Sequence, residues 1–578
     1  MNPSRPGNGP AAFEPGGLLH RALPSFEPRP QQVRMAAEVD EALSAGRHLL
    51  IEAGTGVGKS LAYLVPAILW ATRPGDHPLD QRRVVVSTHT RALQEQLSRK
   101  DLPLLERALG AAGVAFSHAL LMGSENYLCA QRLQQARQPQ EEVLLPGGEA
   151  GLLRALQQHA GRTASGLRSD IPFAVPDHLW ARVCRDRDIC LGARGPFWES
   201  CLYRRDLERS RSAQILVVNH ALFFLDLATG GRILPPHAAV ILDEAHRVED
   251  AALAQFGFSV SDRAIARLID DLALPPRAAR GAASADHSGE ALRAAASDVS
   301  DAAGRFFGEV RRGLAAGAGR DRSSAGGRAT TITRVRHAGL VDDRMSAPLE
   351  NLQGALDRSS REERDPARAL GLQSLAQRAQ LLRQRIVTFL TQAMQDAVYW
   401  VEIGAGRRAT ATLRATPIEV APALRETLFG GTRAVVLTSA TLTAAGSFEH
   451  MRRRLGLSGA AEAALGSPFD YSRQALLYLP ASMPDPVGGS SDYLEAVAGE
   501  CRRLLAASDG GTFILFTSYA ALDRTWQALR DDAALRDLRM LRHEPGAASS
   551  ILEEFRMTRR GVLLGTLTFW QGRERSIN

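Results

Sequence analysis

Short β-branched runs that end in small or polar residues recur along the first half of the chain. They are HLLIEAGTG (48–56), RVVVSTHT (83–90), AQILVVNH (213–220) and AAVILDEAH (238–246). Each run predicts a strand covered on both faces, and stretches of helical period separate them. That alternation predicts a doubly wound, mostly parallel α/β sheet with functional loops at the carboxyl ends of its strands. Residues 255–395 break the pattern, being rich in Ala, Arg, Leu and Gln. The stretch LQSLAQRAQLLRQRIVTFLTQAM has helical period, so this region predicts a helical insertion, with GLAAGAGRDRSSAGGRATTITR as a flexible loop inside it. Strand-like text resumes at VYWVEIG (398–404) and ATLRATPIEV (411–420). A second α/β series is predicted from RAVVLTSATLT (433–443) through ALLYLPAS (475–482), GTFILFTSYAAL (511–522) and RRGVLLGTLTFW (559–570).

A chain of 578 residues with 45% hydrophobic and 23% charged side chains fits a multidomain globular protein. No run of eighteen apolar residues predicts a membrane span. The Pro/Gly-rich start MNPSRPGNGPAAFEPGG lacks the form of a secretory signal, so residues 1–25 are expected to be a flexible tail of a cytoplasmic protein. The net charge of +7 favours an acidic partner such as nucleic acid. Lys59 and Lys100 are the only lysines in a chain whose other basic residues are arginine, which singles out any retained lysine.

One of those lysines ends AGTGVGKS, which lies between an apolar strand and an apolar helix. In a phosphate-binding loop of this kind, Ala53, Gly54, Thr55, Gly56, Val57 and Gly58 let backbone N–H groups wrap the phosphates of ATP. Lys59 reaches the β- and γ-phosphates, and Ser60 holds Mg²⁺. VILDEAH puts a carboxylate at the end of another strand. Asp243 is suited to hold Mg²⁺, Glu244 to orient or deprotonate the attacking water, and His246 to couple the site to a neighbouring domain. The two motifs together predict NTP hydrolysis by in-line attack of water.

Cys129, Cys184, Cys190 and Cys201 fall within one early segment. Their spacing does not match paired zinc knuckles, and the residues leave Zn²⁺, a [4Fe–4S] cluster and four unrelated buried thiols open. Arginines and aromatics interleave with them (Arg182, Arg185, Arg187, Arg194, Trp198, Tyr203, Arg204, Arg205), which suits single-stranded nucleic acid or a solvated basic rim. Cys501 is expected in a core.

In this order the motifs resemble the DinG branch of the XPD-like superfamily-two DNA helicases, from about Phe26 to Gly572 and most weakly over 260–395. FEPRPQQ resembles the family's adenine-reading element and implicates Gln32. STHTRALQEQL resembles a DNA-contact motif carrying Thr88, Thr90 and Arg91. VVNHALF, LFTSY and GTLTFWQG are also similar to family motifs, and by resemblance Asn219, Thr517, Ser518 and Thr566 face nucleic acid. NYLC and the three later cysteines match the family's [4Fe–4S] insertion. The resemblance implies α/β architecture with two RecA-like P-loop domains. The first spans 26–430, with an iron–sulfur insertion over 118–212 and a helical arch over 255–395. The second spans 431–578 and is incomplete after Gly565–Gly572.

The implied function is an ATP-dependent, 5′→3′ DNA helicase in repair or replication-conflict resolution. It would act as a monomer on single-stranded or forked DNA or RNA–DNA hybrids, with ATP, Mg²⁺ and a [4Fe–4S] cluster and no membrane partner. The polarity rests on resemblance alone. The family usually has a basic residue near Glu125, and an acid where Gln571 stands. Its final arginine-bearing helix does not follow, and GRERSIN read one base out of frame resembles the family continuation, so a frameshift is the expected origin of the tail. Two rivals follow: a nucleic-acid-stimulated ATPase that does not unwind, and a catalytically impaired single-stranded DNA binder.

Overall fold

The computed structural model describes residues 9–23, 26–73, 78, 82–136, 149–186, 190, 192, 195–272, 287–316, 321–323, 330–404, 410–486, 491–544, 548–566 and 569. The chain divides into two compact units. One comprises Met1–Ala318, Arg334–Val401 and Ala411–Pro468; the other comprises Gly319–Thr333, Glu402–Thr410 and Phe469–Asn578.

The first unit is built on β1 (Leu49–Glu52), β2 (Val84–Thr88), β3 (His118–Leu120), β4 (Ile215–Asn219) and β5 (Ala239–Asp243). Two later strands, Ala434–Ser439 and Ala461–Ala464, join them in a seven-stranded sheet. Its order is the 461–464 strand, β1, the 434–439 strand, β5, β2, β4, β3, and each neighbouring pair is parallel. Successive side chains point to opposite faces of a strand, and the sheet sorts them accordingly. Leu49, Ile51, Val84, Val86, Val217 and Ile241 enter one core, while Leu50, Val85, Leu216, Val218, Val240 and Leu242 enter another. That two-sided burial is why the runs are continuously apolar.

Helix α1 (Leu18–Ala22), α2 (Pro30–Ala45) and α3 (Lys59–Ala71) contribute to the first of these cores. Pro30 opens α2, and Gly46 at φ 66° closes it. Residues 10–22 are not the expected flexible tail. Phe13 and Leu19 are fully buried in the same core, because the segment carries apolar side chains that the sheet's helical layer can cover.

The 433–443 run also differs from expectation. The sequence pattern places the opening of the second domain at 431, yet Ala434–Ser439 lies hydrogen-bonded between β1 and β5. The first unit therefore runs on to Pro468. An apolar run announces a buried parallel strand but not the sheet that takes it.

The cysteine-bearing segment forms helices Ala130–Gln135, Glu149–Ala160, Asp177–Val183 and Leu202–Ser212. It has its own small core around Leu133, Leu153, Leu156, Leu179 and Trp180. The 255–395 region is helical over Asp262–Asp270, His287–Ala316, Ser346–Glu362 and Pro366–Thr391. Within it Phe258–Ser261 is a strand, paired antiparallel with Ala411–Pro417.

The second unit holds a three-stranded parallel sheet in the order Thr512–Leu515, Gly561–Gly565, Arg539–Arg542. Leu505, Phe516, Leu522, Leu529, Val562 and Leu564 pack around it. The expected strand at 475–482 is absent: Leu476, Leu477 and Leu479 are 95%, 81% and 73% exposed in irregular chain. A run of strand formers becomes a strand only when its backbone groups find a partner. The tail from Trp570 onward, with Gln571, lies outside the described residues.

Phe13→Ala removes a fully buried ring from the first core. It is expected to cost about 3 kcal/mol or more in denaturant unfolding of the full chain. A flexible tail would give no measurable change.

Candidate nucleotide and nucleic-acid site

The phosphate loop runs from Ala53 to Gly58, between the end of β1 and the first turn of α3. Gly56 and Gly58 take φ of 81° and 80°, a region open to glycine at little cost. Gly58 also has no room for a side chain, since a Cβ there would lie 2.3 Å from Gln32 Nε2. Gln32 is buried and donates to the Gly58 carbonyl at 3.1 Å. Arg29, which the sequence reading passed over, donates to the Gly56 carbonyl. On the other flank Gly54 N–H donates to Gly466 O at 3.1 Å. The loop is thus held from both sides, with Lys59 and Ser60 in the first turn of α3 at the positive end of its dipole.

Asp243 ends β5 and is buried. Tyr63 on α3 donates to its Oδ2 at 3.1 Å, and the Glu244 N–H donates to Oδ1 at 3.0 Å. Burial first, and the Glu244 charge second, push the Asp243 carboxyl up to about 7, while Lys59 and the Tyr63 hydroxyl oppose the rise. A carboxyl so poised is a natural cation ligand, because a metal ion supplies the charge that burial removes.

Glu244 takes φ 55° and ψ 46°, a left-handed turn that costs a non-glycine residue roughly 1 kcal/mol. The turn aims the next side chains at the 434–439 strand. His246 Nδ1 lies 2.8 Å from Ser439 Oγ, and Glu244 Oε2 lies 3.5 Å from both. Burial holds His246 below its ordinary pKa against the pull of Glu244. His246 was expected to couple to a neighbouring domain; here its hydrogen bond is to Ser439 of its own unit. Glu52, also passed over, accepts from Leu442 N at 2.6 Å, Thr443 N at 2.7 Å and Thr443 Oγ1 at 3.0 Å. The signal for Glu52 and Ser439 is weak in one sequence, since both are ordinary strand-end residues whose partners lie about 390 and 193 positions away.

The residues expected to face nucleic acid also sit at strand ends. Thr88 and Asn219 are register partners on β2 and β4. Thr88 is buried, and its Oγ1 has no hydrogen-bond partner among the described residues. Thr90 accepts from Leu93 N at 3.2 Å and Asn219 accepts from Leu222 N at 2.8 Å, so both cap helices. Arg91 is exposed in the first turn of the helix that Thr90 caps. In the second unit Ser518 caps Tyr519–Leu529, Thr517 is exposed, and Thr566 is buried with its Oγ1 3.2 Å from His543 Nδ1.

The four cysteines of the early segment are free thiols. Leu128 and Cys184 form a β-bridge, and Cys129 N–H donates to Val183 O at 2.9 Å, which brings two cysteines together through the backbone. Burial raises the Cys129 thiol, and the nearby Cys190 and Cys201 raise it further. Burial also raises Cys184. This all-sulfur donor set in one lobe suits a thiolate-bound centre in composition. Among the described residues it does not gather three ligands into a metal-holding group.

Several of the interleaved arginines are engaged inside the lobe. Arg185 stacks 4.2 Å from the Tyr203 ring, and Arg204 lies over Trp198 while paired with Glu199 and Glu208. Arg182 pairs with Glu149, and Arg187 and Arg194 lie outside the described residues. No described helix is long and apolar enough to cross a membrane.

A parallel sheet with a glycine-built phosphate loop after β1 and an acidic turn after β5 defines the first unit as a P-loop NTPase unit. The comparisons narrow this class. Residues 31–139 match the DEAD/DEAH box helicase family, and residues 501–575 match the helicase C-terminal domain family. ATP-dependent DNA helicase YoaA of Escherichia coli K12 is 30% identical over 575 residues, covering 97% of this chain and 82% of that protein. ATP-dependent helicase DinG of Mycobacterium tuberculosis H37Rv is 32% identical over 573 residues, covering 94% and 78%. Among solved structures, one described as an XPD helicase is similar over 93% of this chain and 80% of its own, with 13% identity and a TM-score of 0.48. The chain belongs to the DinG–YoaA family of ATP-dependent helicases.

Because the folded Asp243 binds its proton up to about pH 7, against an ordinary value of 3.8, the metal-free fold holds a proton that the unfolded chain has released. Stability from this group is present below that window and falls as pH rises through it. Asp243→Asn is expected to melt above the wild type at pH 8 in chelator, with the gap closing toward pH 5. A variant that melts lower at pH 8 contradicts the burial account.

Proposed function

We propose that this chain is an ATP-driven DNA translocase and helicase that runs 5′→3′ along a single strand and opens forked or tailed duplexes. Its expected setting is the cytoplasm, in repair or in clearing replication conflicts, where RNA–DNA hybrids also fall within its substrates, and it acts as a monomer. The observation that carries this reading is the meeting of the Lys59–Ser60 turn with the buried Asp243–Glu244 turn, joined by Tyr63. With these groups present, the reading as an impaired single-stranded DNA binder is not favoured.

In this reading the loop N–H groups and Lys59 bind the ATP phosphates, and Ser60 and Asp243 hold Mg²⁺. The ion, when bound, neutralises phosphate charge. Glu244 orients the attacking water, and Gln32 fixes the loop while reading the adenine. Thr88, Thr90, Arg91 and Asn219 of the first unit contact nucleic acid, as do Thr517, Ser518 and Thr566 of the second. Binding there is mainly to phosphates, hence tolerant of sequence and weakened by salt. Cys129, Cys184, Cys190 and Cys201 hold a [4Fe–4S] cluster, which ties the 118–212 lobe together, and the 255–395 helices form an arch. The resemblance of NYLC and the three later cysteines to the family's insertion supports the cluster, as do the influence of Cys190 and Cys201 on the Cys129 thiol and the backbone bond that sets Cys129 beside Val183–Cys184.

Lys59→Ala is expected to lower DNA-stimulated ATP turnover by roughly 100-fold or more while leaving single-stranded DNA binding within about threefold by fluorescence anisotropy. Undiminished turnover would overturn the site. Anaerobically purified protein is expected to contain iron and acid-labile sulfide, both lost in Cys129→Ser. Stoichiometric zinc without sulfide would overturn the cluster.

A further inference from the structure

The three parallel strands of the second unit bring their carboxyl ends to one edge, and a buried histidine stands among them. His543 follows the Arg539–Arg542 strand and is 2% exposed. Its backbone N–H donates to Leu564 O at 2.9 Å, which fixes it beside the end of the Gly561–Gly565 strand. Its Nδ1 lies 3.2 Å from Thr566 Oγ1, just past that strand. The same nitrogen lies 3.4 Å from the hydroxyl of Tyr519, which opens the helix after the Thr512–Leu515 strand. The Tyr519 and Phe569 rings pack on the imidazole with centroids 5.5 and 4.8 Å away, Phe569 perpendicular to it.

Phe569 reaches the histidine because the chain turns back on itself. Its N–H donates to Thr566 O at 2.9 Å. Gly565 makes room for the turn, since a Cβ there would lie 2.6 Å from Phe569 Cδ2. The segment after the Gly561–Gly565 strand is thus held to His543 twice, by a hydroxyl and by a ring. A neutral imidazole nitrogen carries either one lone pair or one proton, so Nδ1 cannot take a proton from both hydroxyls. With Tyr519 donating to Nδ1, the Thr566 hydroxyl keeps its proton for an acceptor outside the cluster. Thr566 is buried, so its side chain has little rotamer freedom left to lose on binding. The carboxyl edge of parallel strands is where such a group meets a ligand.

We propose that His543 is a positioning residue of the second unit's nucleic-acid edge. It holds Tyr519 and the Thr566–Phe569 turn in place, so that the Thr566 hydroxyl meets a phosphate oxygen of the bound strand. This role rests on the proposed reading of Thr566 as a nucleic-acid contact and adds to it the residue that fixes the contact.

A double-mutant cycle on the full-length protein tests the role. Oligo(dT) affinity is read by fluorescence anisotropy at one fixed salt concentration, with melting temperature alongside. Thr566→Val and His543→Leu are each expected to weaken binding roughly tenfold, the loss of one hydrogen bond to a charged group. The double variant is expected to bind within about threefold of either single variant, because both remove the same contact. His543→Asn, whose amide stands near the Nδ1 position, is expected to bind within about threefold of wild type. Where His543→Leu does not melt cooperatively, His543→Gln, which carries the amide away from the Nδ1 position, takes its place in the cycle. Losses that multiply in the double variant would overturn the role, as would an Asn variant that binds no better than the Leu or Gln variant. If Thr566→Val binds as tightly as wild type, the reading of Thr566 fails and this role with it; a weakened Thr566→Val beside an unchanged His543→Leu sinks the His543 role alone.

Discussion

The hydrogen bond from Tyr63 to Asp243 joins the two halves of the nucleotide site. Asp243 is 5% exposed at the end of β5, and Tyr63 projects from the helix that the phosphate loop opens. A carboxyl in that position is costly to ionise, and its pKa near 7 expresses the cost. Lys59 and the tyrosine hydroxyl partly offset it, and a divalent cation would complete the compensation. The burial that makes the Asp243 charge costly is also what would make it a strong ligand for a cation, so metal affinity and loss of stability with rising pH are two expected consequences of one constraint.

Around that bond the sheet's carboxyl edge is tied strand by strand. Glu52 at the end of β1 gathers the 442–443 backbone, Ser439 meets His246 and Glu244, and Ser87 meets His220. Each tie joins strands that are neighbours in the sheet or one removed. Helix caps at Thr90 and Asn219 fix the same edge from the other side. Ordinary strand-end chemistry thus gathers the proposed phosphate, metal and first-unit nucleic-acid residues along one edge of the sheet.

The strands and the positions of the two candidate nucleotide loops were legible because their signals are local. A β-branched run followed by AGTGVGKS or DEAH carries its own context, and β1, β2, β4 and β5 fall where those runs stand. Sheet membership was not legible. The 434–439 strand looks the same whichever sheet accepts it, and only its pairing with β1 and β5 assigns it. ALLYLPAS shows the converse: apolar character did not produce a strand where the backbone has no partner. Phe13 and Leu19 were hidden in Pro/Gly-rich text that suggested a tail. Glu52, Tyr63, Ser439 and His220 were missed because their meaning lies in partners between 133 and 390 positions away.

Glu244→Gln tests the central claim most directly, since it keeps the size and hydrogen-bonding reach of the side chain and removes its charge. ATP affinity and single-turnover hydrolysis with oligo(dT) are measured on the same preparation. ATP affinity is predicted to stay within about threefold, while hydrolysis falls by roughly 100-fold. A variant that hydrolyses ATP at the wild-type rate would contradict the assignment of this turn as the hydrolytic centre.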